Sequence, residues 1–249
     1  RLLQNDTNSE PEEFTTEDDI QLPNSGFEDW YTDSDGLPKP AKDASSSFWD
    51  CGNVNYFGKH IMTTQNDETA LGQGSSVKME TQETMKIIAA GNIFTGTFER
   101  DGMGGILTLG RNFECRPNKL KGYYKYTSAK VSVSKGHLNE GEDDLCSLYI
   151  ALTDEQITVN TNKGIYFDPN SSAVIAYGSI SDEESKGADS FKEFTVDLEY
   201  KDLKRIPKYI IVVASSSKYG DYMEGGKGST MWLDDLELVY PKSMEEVRK

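Results

Sequence analysis

The chain has 249 residues, and its 42 acidic and 26 basic side chains give a formal charge of −16. That balance argues against nucleic acid and against an anionic membrane surface, since both call for a basic face. Hydrophobic residues make up only 36%, but 10% are aromatic, which is too many for a disordered chain and suits one large all-β domain or two small ones.

In chain order, residues 1–21 read as a flexible acidic tail, with little apolar surface to offset its ordering entropy. A helical turn over Thr16–Ile20 would fit inside it. The start at Arg1 in place of Met is read as the result of a removed leader. The folded domain is expected over 22–241, with a short C-terminal tail over 242–249. Strand signals follow one another from Val77 onward. Val77–Thr81 alternates, Ile87–Phe94 is a buried-looking run broken at Gly91-Asn92, and Ile106–Leu109 lies between glycines. Gly122–Tyr126 has aromatic enrichment, and Val131–Val133 follows. In Leu145–Leu152, Cys146, Leu148, Ile150 and Leu152 share one side, and Ala173–Tyr177 is a further strand. The cleanest alternation is Phe194–Tyr200, where Phe194, Val196, Leu198 and Tyr200 face in and Thr195, Asp197 and Glu199 face water. Tyr209–Val213 is apolar on both faces, so it is expected at the centre of a sheet. Met231–Tyr240 is the last strand, with Trp232, Leu236, Leu238 and Tyr240 on one side and Asp234 sharing their parity. Many strands, glycine-rich connections and almost no helical period predict an all-β antiparallel sandwich of jelly-roll type. No apolar run approaches the roughly 20 residues of a membrane helix.

Three cysteines without CxxC spacing make a zinc knuckle or thioredoxin-type site a poor fit. Cys146 reads as a buried, unpaired thiol, and Cys51 and Cys115 are left open between a bridge and free thiols. His60 and His137, the only histidines, read as exposed loop residues. The segment Tyr31–Gly36 fails as a calcium loop, with Tyr31 first and Lys42 twelfth, and reads as an acidic turn. Gly225–Ser229 fails as a phosphate loop and reads as a flexible hairpin. Two other segments carry more. Pro23-Asn-Ser-Gly-Phe-Glu28-Asp-Trp30 opens the domain, and Asp234-Asp235 lies in its last strand. A core-side Asp234 needs a cation or backbone donors. Asp235 should face solvent, unless a bulge exchanges the two.

Asn24–Trp30, Trp49–Asn53, Gly91–Gly96, Arg116-Pro117 leading into Gly122–Tyr126, Ser215–Asp221 and the stretch from Gly228 to Asp235 resemble, in this order, the putative carbohydrate metabolism domain family of Bacteroides-type bacteria. The resemblance spans residue 22 to Tyr240. It implies a fold like that of galactose-binding and carbohydrate-binding modules, and a secreted or lipid-anchored protein at the periplasm or outer-membrane surface. In such jelly rolls the first and last strands meet, and the Glu and one Asp often share a structural calcium ion, so Glu28 and Asp234 become the candidate ligands. The implied function is non-catalytic binding or handling of a poly- or oligosaccharide, with envelope proteins as further partners and membrane contact only through a lipid anchor. The alternatives are a carboxylate-dependent glycoside hydrolase or lyase, and a structural or adhesin subunit of an envelope complex. Sugars stack on aromatic rings and bond carboxylates, amides and cations. Trp49 is the candidate platform, with Asn53, Asn55 and Tyr56 beside it, while Trp30 and Trp232 read as packed residues. The loop carrying Lys218, Tyr219 and Asp221 is the second candidate, against a reading in which a turn network holds Asp221 to backbone N–H groups.

Overall fold

The computed structural model describes residues 19–241, so the expected C-terminal tail, most of the N-terminal one, and the helical turn expected over Thr16–Ile20 apart from its end lie outside the described residues. Two antiparallel sheets face each other. The larger runs in the order Ile157–Asn160, Gly104–Leu109, Asn92–Asp101, Tyr209–Ser215, Ser147–Thr153, Val174–Ser179 and Glu199–Tyr200, with Trp49–Asp50 and Arg111–Asn112 added along it. The smaller runs Ala188–Asp197, Lys119–Thr127, Thr230–Val239, Ser76–Glu80 and Thr63–Asn66. Among the described residues the helical elements are short 3-10 turns. The jelly-roll-type antiparallel sandwich expected from the strand pattern is therefore the fold.

Alternation sets the core. Ile93, Leu148, Ile150 and Val212 of the larger sheet meet Leu120, Tyr124, Phe194 and Leu233 of the smaller one. Cys146 lies in this layer as a free thiol, and burial pushes it up to about 12. Cys51 is likewise a buried free thiol. The Phe194–Tyr200 segment changes sheets. Ala188–Asp197 pairs with Lys119–Thr127, the Leu198 amide bonds the Asn118 carbonyl, and Glu199–Tyr200 joins the larger sheet. Tyr209–Ser215 is central, as its two-faced apolarity required. Its outward side chain Ile211 joins Phe94, Leu107, Ala151 and Val159 in a second cluster on the outer face of the larger sheet.

The last strand corrects the parity read from sequence. Asp234 pairs with Tyr123, but Glu237 pairs with Lys121, so one extra residue is accommodated between them. Asp235 has φ +47°, the left-handed conformation that lets a bulge absorb it. Upstream of the bulge, Met231 and Leu233 face the core; downstream, Leu236 and Leu238 do. Trp232 is consequently not a core residue. It lies on the opposite face between Lys78 and Lys125, whose ammonium groups stand 5.8 and 4.4 Å from its ring. The first and last segments of the domain do meet: the Leu236 amide bonds the Ser25 carbonyl, and the Gln21 side chain brackets the Leu238 backbone with two hydrogen bonds.

Candidate functional site

Two of the predicted ligand residues are parts of the framework. Trp49 is only 1% exposed. Its Nε1–H donates to the Pro23 carbonyl at 2.7 Å, and its ring packs edge-on against Phe27 and Phe48. Asn53 is also buried. Its Oδ1 accepts from the Met62 and Thr63 amides, while its Nδ2 donates to the Pro38 and Thr63 carbonyls. Every polar group of that amide is used, so neither residue can serve as a sugar contact. The reason lies in the strand Trp49–Asp50, which pairs with Thr95 and Phe94 and draws the polar loop into the sandwich.

The rest of that loop takes a different course. Val54–Asn55 and Lys59–His60 form a small ribbon with Tyr56 and Phe57 at its turn. A second ribbon, Gln82–Thr84 with Ile87–Ala89, turns through Met85-Lys86. The hairpin of Asn92–Asp101 and Gly104–Leu109 turns at Gly102-Met103. These hairpins, together with Gly220, Asp221 and Met223, enclose a cleft of about 320 Å³. Its rim is apolar: Phe57 is 94% exposed and Met85 is 83% exposed. Phe57, Met85 and Lys86 all have φ near +50 to +63°, where an L side chain costs about 1–2 kcal/mol. Turns of this kind favour Asn and Gly, so apolar side chains held there are uncommon.

Tyr56 stands on the wall. The Arg100 guanidinium lies 4.3 Å from its ring centroid, and His60 Nε2 is 3.2 Å from its carbonyl oxygen. Deeper in is Asp221. Among the described residues no group hydrogen-bonds or ion-pairs its carboxylate. Burial alone pushes it up to about 6. Asp221 also borders a neighbouring hollow of about 60 Å³ that includes Lys218 and Tyr149. Lys218 pairs with Asp182 at 3.1 Å. Tyr219 turns away from the cleft onto His137, and Asn55 is exposed on its ribbon. Of the predicted residues, the cleft thus brings together Tyr56 and Asp221, and Lys218 joins them through the neighbouring hollow.

The turn network considered for Asp221 exists, but it belongs to Asp144. This buried carboxylate accepts from the Leu145 and Gly226 amides and from the hydroxyls of Ser217 and Ser229. It fixes both ends of the segment that carries Asp221. Sequence reading missed His60, Arg100, Phe57, Met85 and Met103 as cleft residues. For Phe57, Met85 and Met103 the available signal was an apolar side chain in a turn, as in Tyr56-Phe57-Gly58 and Gly102-Met103-Gly104; His60 and Arg100 carried none.

The expected metal pair is close to a third carboxylate. A Cβ on Gly26 would stand 3.2 Å from Asp235 Oδ1 and 3.6 Å from Glu28 Oε1. Glu28 accepts from the Ser75 amide and hydroxyl, and Asp234 accepts from the Ala70 amide. Burial, followed by the charges of Asp235 and Glu28, pushes Asp234 up to about 6. No lysine or arginine pairs with any of the three among the described residues. No three His, Cys, Asp or Glu side chains of the described residues converge as a preformed metal cage. The donor chemistry, oxygen only and with uncompensated negative charge, fits a hard cation.

The model of a family described as "Putative carbohydrate metabolism domain" matches residues 22–239. The fold is shared with a crystal structure described as a putative glycoside hydrolase from Bacteroides thetaiotaomicron, at 24% identity and a TM-score of 0.67, covering 88% of this chain and 71% of that one. A second, described in the same words and from Bacteroides vulgatus, has 22% identity and a TM-score of 0.66, covering 86% and 96%. No curated protein matches the chain.

Proposed function

The chain belongs to the putative carbohydrate metabolism domain family, and from that premise we propose that it is a non-catalytic glycan-binding module, secreted or lipid-anchored at the bacterial envelope. The observation that carries this reading is Asp221. A carboxylate with no donor among the described residues, set in an apolar cleft that Tyr56 also lines, is costly to keep unless a ligand supplies the donors. A sugar does so: its hydroxyls can donate to Asp221 while its C–H faces pack on Tyr56 and the apolar wall. The envelope placement is supported by the family resemblance.

The rival reading is hydrolysis. A carboxyl group near 6 is suited to general acid work. Glycosidases of the usual kind, however, use two carboxyl groups about 5–9.5 Å apart. Asp221 is the single Asp or Glu among the residues that line the cleft, which supports binding over turnover. A structural calcium ion, when bound, would be held by Glu28 and Asp234 with Asp235 nearby, and would supply charge compensation where the first and last segments of the domain meet.

A glycan-array screen of the folded domain tests the function, followed by titration calorimetry with the glycans it retains. Asp221→Asn and Tyr56→Ala should each lower affinity by about tenfold or more, as expected for a lost charge-assisted hydrogen bond or a lost ring contact. Release of reducing ends from a polysaccharide by the wild type, abolished in Asp221→Asn, would replace the binding reading with the enzymatic one.

A further inference from the structure

We propose that the binding site continues beyond the cleft onto a row of four rings, Tyr219, His137, Tyr222 and Tyr166, which takes further residues of the same saccharide chain, so that the ligand is an extended oligosaccharide and not a single sugar. This rests on the reading of the cleft as a glycan site. The turn at Gly220–Tyr222 faces two ways. Gly220, Asp221 and Met223 line the cleft, while Tyr219 and Tyr222 look outward to rings from two other loops. His137 lies flat against Tyr219, with centroids 4.3 Å apart and planes 16° apart. Tyr222 stands 4.3 Å from His137 and 4.0 Å from Tyr166.

The rings are not needed to hold their loops, because each loop has its own anchor. Glu224, whose side chain is 0% exposed, accepts from the amides of Lys135, His137 and Leu138. It also meets His137 Nδ1 at 3.1 Å, which orients the imidazole. Asn160 caps the turn before Tyr166 by accepting from the Lys163 amide. Asp144 holds Ser217 and Gly226 on either side of Tyr219 and Tyr222. Burying Glu224 under an exposed loop is costly and is offset by those donors. The result is a surface set in place before any ligand arrives, which limits the ordering cost of binding.

The chemistry of the row suits a sugar. Tyr166, Tyr219 and Tyr222 are half-buried, and none of their phenolic oxygens bonds another described residue. Tyrosine offers a rigid apolar ring with a polar tip, so C–H faces and hydroxyls can be met together. Continuity with the cleft is electrostatic as well as geometric. Burial raises the Tyr222 hydroxyl, and the charges of Tyr166, Asp221 and Tyr219 add to that shift, so the cleft carboxylate lies within reach of the row.

The test is affinity against chain length. Purified oligosaccharides from monosaccharide to hexasaccharide, cut from galactan, xylan, mannan and β-glucan, are titrated calorimetrically; neutral chains are chosen because Asp221 and the net charge of −16 disfavour uronates. For the glycan retained, affinity should rise by about tenfold or more from the shortest binding species to the longest. Tyr166→Ala and Tyr222→Ala should each remove most of that rise and leave the affinity for the shortest species unchanged. Tyr222→Phe should keep the larger part of it. Should Tyr222→Ala fail to fold, Tyr166→Ala carries the test, because Asn160 secures its loop independently. Length-independent affinity, or a rise untouched by Tyr166→Ala, overturns the extended site and leaves the cleft reading standing. Absence of affinity for every saccharide tried overturns both.

Discussion

Asp144 and Asp221 sit under and within the same surface segment, and their surroundings are opposites. Asp144 is fully buried and receives four hydrogen bonds, two from amides and two from serine hydroxyls. Asp221 receives none from the described residues and faces a cleft. Burial raises both groups, but at Asp144 the donors work against the rise, and at Asp221 nothing does. A carboxylate saturated by its own chain is committed to structure. One left bare in an apolar wall retains its full capacity to accept from something else.

Removing each carboxylate in turn should break or confirm this contrast. Asp144→Ala strands the Ser217 and Ser229 hydroxyls and the Gly226 amide, and should cost about 3 kcal/mol of stability in urea denaturation. Glycan affinity should fall with it, because the segment that carries Asp221 loses its anchor. A cost under about 1 kcal/mol would mean that Asp144 is no more structural than Asp221, and the contrast would fail.

The Glu28, Asp234 and Asp235 group lies between these extremes, being partly satisfied by Ser75 and Ala70 and still mutually repelling. If calcium compensates it, a chelator should lower the melting temperature and calcium should restore it. At a hundredfold excess over Kd the stabilisation would be about 2.7 kcal/mol. Asp234→Ala should abolish the response. An unchanged melting temperature on chelation would leave Asp234 as a carboxylate held by the Ala70 and Asp235 amides.

The sandwich was legible because its signal is local. The alternation of Phe194–Tyr200 and the two-faced run Tyr209–Val213 each state which side is buried. The bulge at Asp235 was not, since a single residue in the left-handed region leaves the composition of the strand unchanged while exchanging the sides of Trp232 and Leu233. The site was legible only in part. Asp221 and Tyr56 stood out in polar loops, but so did Trp49 and Asn53, which the pairing of Trp49–Asp50 takes inside. Whether a loop residue is a ligand contact or a brace depends on which strand its neighbours join, and that pairing is set over distances of more than 40 residues.

The smallest expected effect is the most direct test of the bare carboxylate. Asp221 near 6 in the folded state compares with about 3.9 when unfolded. Between those values the folded protein holds the extra proton, so stability falls as pH rises through the window, and the full penalty applies above about 6. Asp221→Asn removes the penalty. It should be more stable than the wild type at pH 7, by about 1 kcal/mol once partial solvent screening is allowed for, and the difference should vanish near pH 4. Binding should show the complementary sign. Sugar hydroxyls donate best to the ionised group, so wild-type affinity should weaken as pH falls through about 6, whereas the weaker affinity of Asp221→Asn should stay flat. Paired melting curves and titrations at pH 4 and pH 7 would measure both. A wild type and variant that differ equally at the two pH values would mean that Asp221 has a partner after all, and that the cleft is not the place where this chain meets its ligand.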